Sequence, residues 1–427
     1  MLLVILFALG YLAIILEHPL GVNKAGTALI TGVACWTAYI LGSASTAGTE
    51  QIAESLQHHL GELSGILFFL LGAMAIVELI DAHDGFDVIT SRIRTKSRRK
   101  LLLVIGLLAF FLSAVLDNLT TAIVMISLVK KIVDDPKDRV LYGGAIIIAA
   151  NAGGAWSPIG DVTTTMLWVG GQVTSGNIIV KLFLPALVSF AVPVAWMMLR
   201  MRGEYVRRGT PLDLPHATPT SGFERSLVFF LGLGVLLAVP VFKMVTHLPP
   251  FMGILLGLGL LWTVTELIHK TKNDEAKSHL SVAGALQRVD AQSILFFLGI
   301  LLAISALQSA GLLTQLATGL QDAIGNLDLI TMSIGLASAV VDNVPLVAAA
   351  QGMYPLATFP TDHYFWEFLA YCAGTGGSIL IIGSAAGVAV MGLEKISFGQ
   401  YLRHISGPAT LGYFAGAAVY IGFAAGL

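Results

Sequence analysis

About ten stretches of this chain are apolar for long enough to cross a hydrocarbon layer of roughly 30 Å, which takes about 20 helical residues each. With their connections they use up nearly all 427 residues. Hydrophobic residues make up 56% and charged ones 12%, against roughly 25% charge in an ordinary soluble domain. The chain therefore lacks the polar surface to cover a water-facing body of its size, and reads as an all-α polytopic membrane protein with little left for a soluble catalytic domain. A net charge of −2 and scattered basic loops exclude a nucleic-acid partner held on a basic face. Cys35 and Cys372, the two cysteines, each sit in an apolar stretch, so neither a disulfide framework nor a thiolate metal cluster is encoded. Met1 to Leu16 has no Lys or Arg before its apolar part and no small-residue cleavage pattern ahead of Glu17-His18-Pro19. It reads as a retained first helix.

Lys and Arg cluster at Arg92 to Lys100, Lys130 to Arg139, Arg200 to Arg225, Lys270 to Arg288 and Lys395 to Arg403, and the positive-inside rule places these loops in the cytoplasm. Ser43 to Glu62 and Thr358 to Tyr364 carry no Lys or Arg and belong outside. The apolar stretch Leu101 to Val129 has basic clusters at both ends, so the chain must enter and return on one side. Its middle, Asp117-Asn118-Leu119-Thr120-Thr121, is a poor helix interior. The expectation is a re-entrant hairpin with its tip at Asp117-Asn118 and arms of about 13 to 16 residues, roughly 20 to 24 Å each, reaching mid-membrane. Spans then fall near 1–16, 25–42, 64–82, 140–170, 178–199, 226–246, 251–269, 291–310, 364–392 and 407–426. A second hairpin at about 327–357 enters from outside with Asp342-Asn343-Val344-Pro345 at its tip. The 140–170 and 364–392 segments are too long and too glycine-rich for simple helices, and each reads as a span broken in the middle.

Three landmarks recur in the same order. Ile66-Leu67-Phe68-Phe69-Leu70 returns as Ile294-Leu295-Phe296-Phe297-Leu298, and Asp117-Asn118 as Asp342-Asn343. Gly153-Gly154, five residues, then Gly160-Asp161 returns as Gly376-Gly377, five residues, then Gly383-Ser384. The first half starts outside and the second inside, so residues 1–199 and 226–427 read as inverted repeats joined by a cytoplasmic linker, 200–225, containing Pro211, Pro215 and Pro219. Inverted repeats with paired broken segments are a transporter signature, with the binding site near the midplane.

A charged side chain at the bilayer centre costs at least about 2.5 to 3.5 kcal/mol, so an intramembrane carboxylate is a functional candidate by default. Asp117, Asp161 and Asp342 lie deep in apolar surroundings, each at an expected break. Around Asp161, the run from Asn151 to Thr165 mixes helix breakers with Ser157, Thr163 and Thr164, and unwound backbone at such depth is tolerated only where it lines a cavity or is buried in protein. Carboxylate, carbonyl, hydroxyl and amide oxygens suit a small hard cation, sodium or lithium, better than a soft metal. No Lys or Arg lies at either tip or either break, so an organic anion would meet the three aspartates with no fixed positive charge, unless helix N-termini and a co-bound cation held it. A carboxylate in a low-dielectric pocket resists ionisation, so proton and alkali ion would compete for one group, the simplest chemistry for cation/proton exchange. The competing role for each aspartate is to cap a half-helix. Ser113 and Ser338 stand one helical turn before the tip aspartates, as hydroxyl donors to an ion or as packing residues. Glu78, Asp81, His83 and Asp84 read as a solvated cytoplasmic helix end, with a pH-responsive cluster around His83 as the alternative.

At these residues the chain resembles the NhaD-type sodium/proton antiporters of the ion transporter superfamily. The resemblance is carried by Leu116-Asp117-Asn118-Leu119-Thr120-Thr121-Ala122-Ile123-Val124-Met125, Asn151 to Thr165, Asp342-Asn343-Val344-Pro345-Leu346 and Gly374 to Gly383. It implies two five-span inverted repeats, each with a hairpin and an unwound span, assembled as a homodimer in the cell's inner (plasma) membrane and working by an elevator-like movement without a cofactor. It implies Na+ at Asp117, Asn118, Asn151 and Asp161, with Thr120, Thr163, Thr164, Asp342 and Asn343 around the ions and Ser113, Ser338 and Ser378 as secondary candidates, to which the residues themselves add Ser157 and Ser384. The second half departs at Ser384 and Gly374, opposite Asp161 and Asn151, which weakens a second ion site. The rivals are a sodium-coupled di- or tricarboxylate carrier of the same superfamily and, in a different class, an intramembrane aspartyl protease.

Overall fold

The computed structural model describes residues 2–42, 46–90, 93, 95–201, 203–204, 220–270 and 272–426, and among these every regular element is a helix. The first half comprises α1 (Leu2–Ile15), α2 (Glu17–Leu20), α3 (Lys24–Leu41), α4 (Thr46–Ala82), α5 (Asp87–Thr90), α6 (Arg98–Leu116), α7 (Asn118–Ile132), α8 (Pro136–Ala155), α9 (Val162–Val169) and α10 (Ser175–Arg200). The second half runs through α11 (Gly222–Thr246), α12 (Pro250–Ile268), α13 (Asp274–Leu280), α14 (Val282–Arg288), α15 (Ala291–Ser309), α16 (Leu312–Ile324), α17 (Leu327–Ala337) and α18 (Asn343–Met353). It ends with α19 (Tyr364–Gly376), α20 (Ala385–Glu394), α21 (Phe398–Tyr401), a π-helical stretch at Leu402–Ser406 and α22 (Gly407–Gly426).

Helix starts follow local chemistry. Asn23 accepts from the Ala25 amide to open α3, Asp135 caps α8 ahead of Pro136, and Ser221 with Glu224 forms a capping box on α11. The expected interruptions are present. The chain breaks at Asp117 between α6 and α7, at 156–161 between α8 and α9, at 338–342 between α17 and α18, and at 377–384 between α19 and α20.

Three expectations need correction. The span read at 64–82 begins at Thr46, and its 37 residues run about 55 Å at 1.5 Å each, well past the hydrocarbon. Glu50, Glu54 and Glu62 mark the projecting part, whose lack of a strong breaker lets the helix continue. The first hairpin arm, α6, has 19 residues rather than about 13 to 16. The segment between 310 and 327, left without a span, forms α16, in which apolar residues alternate with Gln315, Gln321 and Asp322 at helical spacing. Most of the expected linker, including Pro211, Pro215 and Pro219, lies outside the described residues.

Packing sorts the helices into two groups. In one, α3 lies against α1 and α15, and α4 against α11, α12, α14 and α15. In the other, α8 contacts α6, α7, α10, α19 and α20, α10 pairs with α22, and α17 with α19. The groups meet chiefly where α18 touches α15 and α16, and where α4 touches α9. Cys35 and Cys372 are free and buried, one in each group.

Within the second group the hairpin arms press on the broken spans through bare backbone. A Cβ on Gly153 of α8 would stand 2.1 Å from the Phe110 carbonyl oxygen of α6. A Cβ on Gly376 of α19 would stand 2.0 Å from the Gly335 carbonyl oxygen of α17. Next to these contacts Ser113 Oγ donates to the Ala150 carbonyl at 2.5 Å, and Ser338 Oγ to the Ala373 carbonyl at 2.8 Å. Both serines therefore fasten an arm to a span, as packing residues do.

Candidate functional site

All three aspartates cap the half-helix that follows them. Asp117 accepts from the Thr120 amide and the Thr120 hydroxyl, both at 2.8 Å. Asp161 Oδ1 accepts from the Thr163 amide at 2.9 Å and the Thr163 hydroxyl at 2.8 Å, and Asp342 from the Val344 amide at 3.2 Å. Capping and ion binding are compatible, because a carboxylate at a helix N-terminus keeps lone pairs free. Asp117 does this with φ 90° and ψ 158°, a region that costs a non-glycine residue about 1–3 kcal/mol and clusters at functional sites. Asp342 has an ordinary φ of −50°.

A polar network runs inward from the first tip. Asn118 Nδ2 donates to Asp161 Oδ2 at 2.6 Å and to Asn151 Oδ1 at 3.0 Å. Asn151 in turn donates to the hydroxyls of Ser378 and Ser384, both at 2.9 Å. Asn343, beside the second tip, points its amide at both Asp161 oxygens at 3.4 Å. Asn151 is fully buried and Asp161 is 2% exposed. Both hairpins and both broken spans thus converge on Asp161 and Asn151. Thr164 bonds its own turn through the Asp161 carbonyl at 2.9 Å, and Ser157 receives the Ile159 amide at 3.4 Å within the break.

Asp117 and Asp161 share the wall of one cavity of about 60 Å³. Its other wall comes from Phe69 and Met74 of α4 and Phe297 of α15, so the cavity lies on the boundary between the two helix groups. Beside it opens a vestibule of about 390 Å³, which shares Met74, Leu119, Ser293 and Ala385 with the cavity and reaches Arg288 and Lys24, on the side the basic loops assign to the cytoplasm. The donors around Asp161 are amide and hydroxyl hydrogens, and the acceptors they occupy are the oxygens a dehydrated alkali ion requires.

Curated relatives agree in kind. The citrate transporter family (CitMHS) matches residues 11–366. Over 417 residues the chain is 51% identical to sodium/proton antiporter 1 of Arabidopsis thaliana, which covers 98% of this chain and 71% of that protein. It is 48% identical to sodium/proton antiporter 2 of the same plant over 422 residues, 98% of each. It is 32% identical to the Na(+)/H(+) antiporter NhaD of Vibrio cholerae over 434 residues, 94% of this chain and 86% of that one. The chain belongs to the NhaD-type antiporter family. Members of this family are transporters, so the protease reading falls away.

On the NhaD-type frame, the structure brings Asn118, Asn151, Asp161, Thr163, Asn343, Ser378 and Ser384 into one bonded cluster, with Asp117 and Thr120 at its edge. Asp342 departs from the expectation. Its Oδ2 lies 3.6 Å from Lys24 Nζ at the start of α3, which corrects the reading that no cation reaches either tip. Lys24 is distant in sequence from every motif, and a lone lysine between two apolar runs was its one signal. Glu367 in α19 was also missed: it is 2% exposed and bonded to Tyr420 at 2.7 Å and to Asn177. His83 is a third correction. Read as part of a solvated helix end, it is fully buried and its Nε2 lies 3.3 Å from that of His269.

Proposed function

We propose that this protein is a secondary transporter that exchanges Na+ or Li+ for H+, with ion and proton competing for Asp117 and Asp161. The observation that carries this reading is the shared cavity: buried Asp161 and half-buried Asp117 line one small, largely apolar chamber whose other polar groups, Asn118, Thr165 and Ser293, are neutral. When sodium enters, Asn118 must release Asn151 Oδ1 and Asp161 Oδ2 or turn its own carbonyl oxygen toward the ion, because a cation and an N–H cannot occupy the same acceptors. When the ion leaves, a proton on either carboxylate replaces its single positive charge, so the net charge of a site that tolerates little excess charge is unchanged.

The position of the chamber between two helix groups supports an elevator-like cycle in which the hairpins and broken spans move against α3, α4, α12 and α15. The paired tips, breaks and serine fastenings support two inverted repeats of five spans, residues 1–199 and 226–427. Assembly as a homodimer and a place in the plasma membrane rest on the family resemblance. The family's citrate name makes carboxylate uptake the competing reading. A chamber of about 60 Å³ whose charged lining residues are Asp117 and Asp161 favours a bare cation over a tricarboxylate.

Purified protein in proteoliposomes tests this. Sodium added to a preformed pH gradient should release protons with no organic substrate present, and Asp161→Asn should abolish the release. Citrate accumulation without sodium-triggered proton release would establish the carrier reading instead.

A further inference from the structure

The two tip aspartates hold different company. Asp117 spends its oxygens on Thr120 and faces the chamber. Asp342 caps α18 with Oδ1 and turns Oδ2 to Lys24 Nζ at 3.6 Å, with the two side chains 21% and 31% exposed. Lys24 is held in place from three directions. It opens α3, its backbone amide donates to Glu17 Oε1 at 3.2 Å, and its ammonium lies 4.5 Å over the Phe296 ring of α15. A cation resting on an aromatic face keeps its position at reduced hydration.

The ion pair crosses the boundary between the helix groups: Lys24 belongs to the α3–α15 framework, and Asp342 starts a helix of the hairpin body. Arg98–Asp138, Arg139–Glu394, Lys272–Glu224 and Arg288–Glu78, by contrast, each stay within one group. Lys24 also lines the vestibule beside the chamber, with Arg288 and the acids Glu17, Glu78 and Asp290, and there an unpaired ammonium would add repulsion against the pull those acids exert on an approaching alkali ion. Pairing with Asp342 removes that repulsion only while the hairpin body sits where it does here.

We propose that the Lys24–Asp342 pair is a latch that favours the vestibule-open conformation, which makes Lys24 a positioning residue of the exchange cycle. The latch rests on the exchange reading above. A partly exposed pair biases a two-state ratio by about two- to fivefold, enough to set a resting preference and weak enough to open in every cycle. Arginine keeps the charge and the reach, glutamine removes the charge, and glutamate opposes Asp342.

The test uses full-length protein in proteoliposomes, with Cys35 and Cys372 replaced by alanine and Ile123→Cys as a reporter in the vestibule wall. Maleimide labelling of Cys at 123 from the vestibule side should slow about two- to fivefold in Lys24→Gln, slow further in Lys24→Glu, and stay unchanged in Lys24→Arg. The exchanged pair Lys24→Asp with Asp342→Lys should restore the labelling rate. Equal labelling in Lys24→Gln and the parent overturns the latch, as does failure of the exchanged pair in a protein that Lys24→Gln slows. If Lys24→Gln does not fold, the exchanged pair and Lys24→Arg decide the question. Sodium-triggered proton release is read from the same vesicles. Its absence in the parent defeats the exchange reading, whereas its presence with unchanged labelling defeats the latch alone.

Discussion

Asn343, from the second hairpin, aims its side-chain amide at Asp161 of the first broken span, 3.4 Å from both carboxylate oxygens. The contact is long for a hydrogen bond and links the two halves at the residue on which exchange should depend. Asn343→Ala removes a donor that supports the ionised form of Asp161 against protonation, so the proton should compete better and the half-saturating sodium concentration should rise about fivefold, the effect of roughly 1 kcal/mol from one long bond to a charged group. It should lower the maximal rate less. Proton release titrated against sodium measures both, and an unchanged half-saturation would remove Asn343 from the site.

The backbone at Asp117 gives an unusual order of variants. In most helical contexts alanine is more stable than glycine by up to about 1 kcal/mol. At φ 90° and ψ 158° the order should reverse, with Asp117→Gly melting above Asp117→Ala by the equivalent of about 1–2 kcal/mol. Both lose the cap and the carboxylate, so neither should exchange ions. Thermal unfolding in detergent with a fluorescent thiol or tryptophan readout would show the order.

Gly153 and Gly376 should tolerate no side chain. Alanine at either site would drive its Cβ into a carbonyl oxygen at 2.1 or 2.0 Å, and backbone cannot step aside as a side chain can. Overpacking of this kind costs about 1–3 kcal/mol. Ser113→Ala and Ser338→Ala lose one hydrogen bond each and should cost about 1 kcal/mol with sodium affinity intact. A tenfold weaker sodium response in either serine variant would make its hydroxyl an ion ligand.

The histidine pair sets an acid limit. His83 and His269, just past the C-terminal ends of α4 and α12, stack with ring centroids 5.0 Å apart, and Glu224 and Lys272 lie near them. His83 Nδ1 meets the Leu79 carbonyl at 2.7 Å, so that nitrogen carries the hydrogen and Nε2 is left to accept from His269. Burial pulls His83 down to about 4 and His269 below the ordinary imidazole value. A neutral ring is favoured in the fold, and the unfolded chain takes up the proton first. Stability should hold above pH 6.5 and fall as pH drops from about 6.5 to about 4, by roughly 3 kcal/mol for His83. Melting temperature against pH should show this slope, and His83→Gln should flatten it.

The site was legible where chemistry is local. Asp117, Asp161 and Asp342 each stand out as acids amid apolar residues and helix breakers, and each begins a half-helix in the structure. What sequence could not supply was company at long range. Asn151 finds Ser378 and Ser384 more than two hundred residues away. Lys24 reaches Asp342, and His83 reaches His269. Those pairings depend on how helix groups stack, which no window of neighbouring residues encodes. The length of α4 was misjudged because hydropathy marks where lipid ends, not where hydrogen bonding along a helix ends.

The two glycine contacts also bear on how the chamber can be exposed. With main chain pressed on main chain along each arm, there is no slack for one hairpin to pivot out of its seam while the partner span stays behind. Flapping would strip several buried carbonyls of their neighbours at once, whereas shifting arm and span as a single block leaves both seams sealed. The glycines thus act as welds, and the joints that give way are left to side chains that can let go, such as a lysine resting on a carboxylate.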